Sequence, residues 1–285
     1  MKIKKAVFPS AGMGTRFLPA TKAIPKEMLP LVDKPLIQYC VEEAHGSGIK
    51  EIIFITGRGK RAIEDHFDVS FELETTLKEK KKTAILNKIR HISEDLTYIY
   101  TRQKKALGLG HAVLCAKNIV NNEPFAVFLG DDIIDAKVPA MKQMIKVFSK
   151  YQASILAVQR VPTKHTHMYG IIKGKKIGDG LYKVEDVVEK PEKNPPSNLA
   201  IIGRYILTPE IFAQLEKNKK GSGGEYQLTD AIKGLLKTQA VYAYEFDGER
   251  FDAGDKVGFL KANIHMGLKN KDTAQELRKF LKGLI

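Results

Sequence analysis

Two glycines and two cations lie close together near the start of the chain, in an arrangement suited to holding phosphates. Gly12 and Gly14 follow a short apolar run, and Arg16 and Lys26 come after them. Glycines let backbone N–H groups approach phosphate oxygens, and fixed cations neutralise the charge that remains. The segment therefore predicts a loop that binds the phosphates of a nucleotide, and two unrelated surface cations are the alternative.

Two other glycine motifs fit this loop poorly. The sequence contains no Gly-x-x-x-x-Gly-Lys-Ser/Thr run, which a P-loop requires. A dinucleotide-binding Gly-x-Gly-x-x-Gly would need glycine at position 17, where this chain has Phe17, and Pro19 follows soon after. The loop therefore belongs to a different class of phosphate-binding segment.

Two further segments carry polar groups at the ends of predicted strands. Gln103 and Gly108 follow one strand, and a glutamine amide can both donate to and accept from the edge of uracil. Asp131 and Asp132 follow another, and carboxylate oxygens suit Mg²⁺. A solvent-facing acidic turn is the alternative for the second segment. His111 is predicted to lie at a helix start near the site, with no need for a catalytic base.

Composition sets broad limits on function. The chain has 285 residues, 43% of them hydrophobic, which predicts a sizeable packed core. It contains neither a long apolar span nor a signal peptide, so we expect a cytoplasmic protein without a membrane partner. Cys40 and Cys115 are predicted to be structural thiols in helices.

The net charge of +14 raises nucleic-acid binding as a rival function. The lysines are dispersed, however, and the densest run, residues 78–82, is predicted to lie on the solvated face of a helix. The same positive charge suits small polyanionic substrates. The charge by itself does not distinguish the two functions. Because Lys26, Asp131 and Lys190 are all present, we expect no nucleic-acid partner.

Short apolar runs alternate with helical patterns along the first half of the chain. The alternation predicts an α/β fold, Rossmann-like, with a mixed, mainly parallel sheet flanked by helices. Loops after Phe8, Tyr100 and Leu129 are then expected to line one crevice. We predict a single domain with three sections: a nucleotide-binding half over about 1–137, a sugar-binding half over about 138–255, and C-terminal helices over about 256–285.

The phosphate loop resembles the Gly-x-Gly-Thr-Arg-x-x-Pro…Pro-Lys signature of the sugar-1-phosphate nucleotidylyltransferases. Within that superfamily, residues 20–39 are similar to the bacterial UTP–glucose-1-phosphate uridylyltransferases. The resemblance covers about residues 4–268. It implies transfer of the uridylyl group of UTP to α-D-glucose 1-phosphate, giving UDP-glucose and pyrophosphate. A glucose-1-phosphate thymidylyltransferase is the alternative, although the insertion at 68–90 resembles the uridylyltransferases.

The resemblance also implies roles for individual residues. The residues expected to bind the nucleotide are Ala11, Gly12, Gly14, Thr15, Gln103 and Gly108. The residues expected to bind the sugar phosphate are Gly170, Glu189, Lys190 and Gly203, with Glu189 contacting glucose and Lys190 contacting its phosphate. The catalytic set is Arg16, Lys26, Asp131 and Lys190. Glu225 is expected to shape the sugar pocket.

For the metal, the resemblance implies Mg²⁺ held by Asp131 and Asp252. Asp132 is additional to the family pattern, so its role is open. The implied partners are UTP and glucose 1-phosphate, and we expect a homo-oligomer, either a dimer or a tetramer.

Overall fold

The structure, a computed structural model, describes residues 1–93, 95–217 and 219–284. Residue 285, the end of the predicted C-terminal section, lies outside the described residues. The strands are β1 Lys5–Ser10, β2 Pro30–Leu31, β3 Lys34–Pro35, β4 Glu51–Thr56, β5 Thr97–Arg102, β6 Phe125–Phe128, β7 Asp132–Asp135, β8 Ser154–Arg160, β9 Gly170–Gly178, β10 Leu181–Glu189, β11 Leu199–Leu207, β12 Val241–Glu245 and β13 Glu249–Asp252. The α-helices are α1 Leu36–Gly46, α2 Arg61–Phe67, α3 Phe71–Glu79, α4 Thr83–Ser93, α5 Leu109–Leu114, α6 Lys117–Val120, α7 Ala140–Tyr151, α8 Ile211–Lys217, α9 Leu228–Leu235, α10 Lys256–Lys269 and α11 Ala274–Leu284.

One nine-stranded sheet runs through both predicted halves, in the order β5-β4-β1-β6-β11-β8-β12-β10-β9. The first four strands are parallel to one another, and β8 pairs in parallel with β12. Strand β11 is antiparallel to both β6 and β8. This mixed sheet with its helices confirms the predicted α/β class.

The hydrophobic core lies on both faces of the sheet. Successive side chains of a strand point to opposite faces, and Val7 and Phe8 of β1 accordingly belong to two different buried clusters. Helices α1 and α7 contribute to the cluster that contains Phe8, whereas α5, α8 and α9 contribute to the other. A sheet covered in this way holds the loops at its strand ends in fixed positions. None of the described helices has the length and apolar character needed to cross a membrane.

The lysine-rich run at 78–82 is exposed, as predicted, but it does not lie within one helix. Helix α3 ends at Glu79 and α4 begins at Thr83, so Lys78 belongs to α3, whereas Lys80, Lys81 and Lys82 form the turn between the two helices. Lys81 has a left-handed φ of 53°, and the backbone N–H of Lys82 donates to the Leu77 carbonyl at 2.9 Å. The turn satisfies the last carbonyls of α3, which is why the helical pattern breaks there.

A small second sheet was not predicted. Strands β7 and β13 pair antiparallel, and their register places Asp132 directly opposite Asp252. Each strand has only four residues, and the two lie over a hundred residues apart, so neither had a local partner to reveal it. This sheet brings the two acidic segments of the sequence together.

Candidate active site

A cleft with two lobes opens at the carboxyl ends of β1, β5 and β6. One lobe is lined by the loops that follow those three strands, as the alternation predicted. The other is lined by β10, β11, β13 and the start of α9. Arg16, Leu109, Leu129 and Asp131 line both lobes, so the lobes meet at these residues.

Most of the predicted site residues line this cleft. Those in the first lobe are Ala11, Gly12, Arg16, Lys26, Gln103, Gly108 and Asp131, together with Glu225. Those in the second lobe are Arg16, Asp131, Gly170, Glu189, Gly203 and Asp252. Gly14, Thr15 and Lys190 line neither lobe. Glu225 was expected in the sugar pocket but lines the first lobe.

Gly14 does not line the cleft, but it determines the conformation of the loop that carries Arg16. Its φ of 68° is left-handed, and its carbonyl accepts a 2.7 Å hydrogen bond from the Thr21 hydroxyl. A Cβ at Gly14 would lie 3.1 Å from Cβ of Lys26, so glycine permits the close approach of the two segments. The Arg16 guanidinium is exposed and donates to the Gly254 carbonyl at 3.4 Å.

Lys26 and Asp131 form an ion pair where the lobes meet. Lys26 Nζ lies 2.7 Å from Asp131 Oδ2, and both side chains are partly buried. Burial lowers the pKa of Lys26, but Asp131 and Glu27 outweigh it and hold that pKa above its ordinary value. Burial raises the pKa of Asp131, but Lys26 outweighs it and holds that pKa below its ordinary value. Both groups are therefore charged near neutral pH.

A second, fully buried ion pair supports Lys26. Glu27 Oε2 accepts from Lys60 Nζ at 2.6 Å, and the two side chains are 2% and 7% exposed. Removing one partner of a buried pair is costly because the other charge stays behind. This pair therefore holds the segment that carries Lys26 against the loop that precedes α2.

Asp131 and Asp252 face the same small space. A Cβ at Gly254 would lie 2.8 Å from Asp131 Oδ2 and 3.0 Å from Asp252 Oδ1. The Ala253 backbone N–H donates to the Asp131 carbonyl at 2.8 Å, which ties the two segments together. The carboxylates of Asp131, in the loop between β6 and β7, and of Asp252, at the end of β13, therefore converge where glycine leaves room. Hard oxygen donors of this kind fit Mg²⁺.

The additional acid, Asp132, is buried, and its carboxylate hydrogen-bonds to residues of β11 and β13. One of its oxygens accepts from the Gly203 N–H at 2.8 Å, and the other accepts from Arg250 Nε. A Cβ at Gly203 would meet Leu129 Cβ at 2.6 Å and would also overlap the Asp132 carboxylate. Gly203 thus lets β11 approach these two side chains in addition to lining the second lobe.

Arg250 links three polar side chains of the second lobe. It donates to Asp132, to Asp252 Oδ2 at 3.0 Å and to the Tyr169 hydroxyl at 3.3 Å. Burial lowers the pKa of Arg250, but Asp132 and Asp252 outweigh it and raise that pKa above its ordinary value. Sequence reasoning missed Arg250. Its position two residues before Asp252 on one strand, and hence on the same face, was the available signal.

Arg204 is a second residue whose role sequence reasoning missed. It directly follows Gly203, which was predicted to bind the sugar phosphate, yet its guanidinium is fully buried. It donates to Glu43 Oε2 and to the carbonyls of Leu129, Asp132 and Gly203. Arg204 therefore fixes the backbone on both sides of Asp131 without lining the cleft.

Glu189 lies at the end of β10, against Thr229 and Gly170. Its Oε2 accepts from the Thr229 hydroxyl at 2.6 Å. A Cβ at Gly170 would lie 3.3 Å from the same Glu189 oxygen and 3.2 Å from the Thr229 oxygen. Glycine therefore leaves the carboxylate open on the lobe side. Sequence reasoning had assigned no role to Thr229.

Lys190 stands outside the second lobe. Its side chain is half exposed, and its Nζ lies 3.6 Å from Glu189 Oε1. The backbone at Lys190 has a left-handed φ of 43°. Its predicted place on the sugar phosphate therefore requires a side-chain rotation toward the lobe.

The two cysteines have structural surroundings. Cys40 is fully buried in α1, and burial raises the pKa of its thiol to about 12. Cys115 is partly exposed and lies between α5 and α6, not within the helix that was predicted for it. An Ala116 N–H bond to the Val113 carbonyl tightens the backbone at this division.

Comparisons with known proteins agree with this geometry. The Nucleotidyl transferase family model matches residues 5–267. The chain is 52% identical over 285 residues to the UTP–glucose-1-phosphate uridylyltransferase of Bacillus subtilis, covering all of this chain and 98% of that relative.

Solved structures give the same result. A UDP-glucose pyrophosphorylase complexed with UDP-glucose aligns with a TM-score of 0.87 at 46% identity, over 94% of this chain and 100% of that one. A UTP-bound UGPase from Acinetobacter baumannii aligns with a TM-score of 0.92 at 43% identity, over 99% of this chain and 100% of the other. The chain belongs to the nucleotidyl transferase family.

Proposed function

We propose that this protein transfers the uridylyl group of UTP to α-D-glucose 1-phosphate and releases pyrophosphate. The observation that carries the proposal is the two-lobed cleft whose lobes meet at Arg16 and Asp131, with Lys26 paired to Asp131. Its relatives are named for the same reaction, and solved relatives are described with UTP or UDP-glucose. The first lobe would hold UTP and the second the sugar phosphate.

On the nucleotide side, Ala11, Gly12 and Gly108 line the first lobe, where they would meet the base and phosphates. Arg16 and Lys26 would neutralise the triphosphate. Negative charge builds on the α-phosphoryl oxygens during transfer, and fixed cations stabilise that charge most in the transition state. Lys26 is held for this task by its ion pair with Asp131 and by the neighbouring Glu27–Lys60 pair.

We also propose that Asp131 and Asp252 hold Mg²⁺ in the space beside Gly254. When bound, the ion would polarise the phosphoryl oxygens and offset their charge. Asp131 pairs with Lys26, and Asp252 pairs with Arg250, so each carboxylate is held in place by a cation.

On the sugar side, Glu189 would accept hydroxyl groups of glucose, with Thr229 fixing the orientation of its carboxylate. Lys190 would turn toward the phosphate of the sugar. That phosphate is an anion near neutral pH, so it attacks the α-phosphorus directly when the lobes hold both substrates in line. The chain's contribution is positioning and charge.

We further propose that the protein works in the cytoplasm as a homo-oligomer. The first statement rests on the sequence, which contains no long apolar span, and the second on the resemblance to the uridylyltransferases.

The test is a pyrophosphate-release assay with purified protein, run with four nucleoside triphosphates against several sugar 1-phosphates. We expect UTP with glucose 1-phosphate to give the highest kcat/KM, with UDP-glucose as the product. A preference for dTTP would support the thymidylyltransferase alternative instead. Absence of pyrophosphate release with every pair would contradict the proposal.

A further inference from the structure

The Gln103 side chain is held by two partners that both use its amide nitrogen. The residue directly follows β5, is 7% exposed and lines the first lobe. Its Nε2 donates to the Gly108 carbonyl at 3.0 Å and lies 3.0 Å from Nδ1 of His111. A carboxamide nitrogen has two N–H groups, so these contacts use its full donor capacity.

These contacts define which way the amide points. The Gly108 carbonyl can only accept, so the nitrogen of the amide must face it and the oxygen must face away. With that orientation His111 Nδ1 is also an acceptor, which places the neutral imidazole proton on Nε2. Among the described residues, none donates a hydrogen bond to Gln103 Oε1. Gln103 Oε1 is therefore a hydrogen-bond acceptor that remains available to the first lobe.

We propose that His111 is a positioning residue for base selection. Together with the Gly108 carbonyl it locks the Gln103 amide so that only Oε1 is offered to the base. Uracil presents an N3–H donor that this oxygen accepts. Cytosine bound in the same pose presents an N3 lone pair that repels the oxygen, and its N4 amino donor lies at the position of uracil O4. The inference rests on the proposed function, because it concerns how the same site selects UTP over CTP.

The surroundings of His111 fix its ring in turn. His111 lies in α5, and the N–H of its neighbour Gly110 donates to the Tyr226 carbonyl at 2.8 Å. The imidazole lies 6.1 Å from the Tyr226 ring. Cys115 Sγ is 3.8 Å from the same His111 Nδ1, and burial raises the pKa of that thiol, so it stays protonated and is a weak donor. Gln103 is the stronger partner.

The experiment measures kcat/KM for UTP and for CTP, with glucose 1-phosphate saturating. We expect His111→Leu to raise the KM for UTP about 3- to 10-fold, the effect of one buried hydrogen bond, and to lower the UTP-to-CTP ratio of kcat/KM by a similar factor. His111→Asn keeps an acceptor near the position of Nδ1 and is expected to restore most of the ratio. Cys115→Ala is the matched control and should leave the ratio unchanged.

A double variant separates positioning from general packing. If His111 acts through Gln103, then His111→Leu should change the UTP-to-CTP ratio very little in a Gln103→Leu background. An unchanged ratio in the single His111→Leu variant would overturn the inference, as would an equal change in both backgrounds. A wild-type enzyme with no uridylyl transfer would refute the proposed function instead, so the two failures are distinguishable.

Discussion

Replacing Arg204 with Met should destabilise the protein although Arg204 touches no substrate. The guanidinium is fully buried and gives two hydrogen bonds to Glu43 Oε2, at 3.0 and 2.8 Å. It also donates to the carbonyls of Leu129, Gly203 and Asp132, at 3.2, 3.0 and 2.8 Å. The substitution removes every one of these donors and leaves the Glu43 carboxylate buried.

The size of the effect follows from the charge left behind. Removing one partner of a buried ion pair typically costs about 3–5 kcal/mol. For a chain of this length that corresponds to a fall in the unfolding temperature of roughly 10 °C. The loss is a large part of the roughly 5–15 kcal/mol that keeps a domain folded. Because the lost carbonyl contacts lie on both sides of Asp131, kcat should fall as well.

Urea unfolding followed by far-ultraviolet circular dichroism measures the change, since the chain has no tryptophan. Arg204→Lys keeps the charge but not the planar set of donors, and should fall between Met and the wild type. Adding Glu43→Met to Arg204→Met removes the stranded carboxylate, so the double variant should be more stable than the sum of the single losses implies. A loss below about 1 kcal/mol in Arg204→Met would refute the reasoning.

Three further predictions concern the site and its charges. Asp131→Asn should lower kcat about 100-fold or more with little loss of stability. If the two carboxylates hold one ion, adding Asp252→Asn should lower kcat by much less than the product of the two single losses. Titrations of kcat with Mg²⁺ check this, and full activity of Asp131→Asn would exclude the assignment. Lys190→Ala should raise the KM for glucose 1-phosphate about 10-fold or more, the effect of losing a charge-assisted hydrogen bond. Lys193 is a neighbouring exposed lysine, and Lys193→Ala should leave this KM unchanged. Equal KM values in the two variants would show that Lys190 is not part of the site. Asp135→Asn should lower the unfolding free energy more at pH 7 than in strong acid. Burial raises the pKa of Asp135, but the hydrogen bonds and charge of Lys269 and the hydrogen bond of His265 outweigh it and hold that pKa below its ordinary value of 3.8, so the stabilisation is fully present above 3.8 and is lost as the pH falls through the lowered pKa. A pH-independent difference in urea unfolding would contradict it.

Sequence reasoning could find residues whose function depends on local spacing. The glycines and cations of residues 12–26 are contiguous, and the alternation of apolar runs placed the loops after β1, β5 and β6 along one cleft. Periodicity and motif order depend only on neighbours in the chain, so they can be read without coordinates.

Sequence reasoning did not find the residues that act through contacts between distant parts of the chain. Arg204 and Glu43 are 161 residues apart, and Glu27 and Lys60 are 33 apart, so no spacing rule connects them. The same reason hid the pairing of β7 with β13, which gives Asp132 its buried anchoring role. The positions of Gly14 and Lys190 outside the cleft lining depend on backbone conformation, which the residue types alone do not determine.

The central claim is that the two lobes bind both substrates together and that transfer is direct. Exchange of radiolabelled pyrophosphate into UTP tests it in one measurement, because exchange requires the α-phosphorus bond to break and re-form. We expect exchange when glucose 1-phosphate is present and none when it is left out, since no side chain has been assigned as an acceptor for the uridylyl group. Exchange without the sugar phosphate would reveal a uridylylated enzyme and would contradict the account, as would the absence of exchange under both conditions.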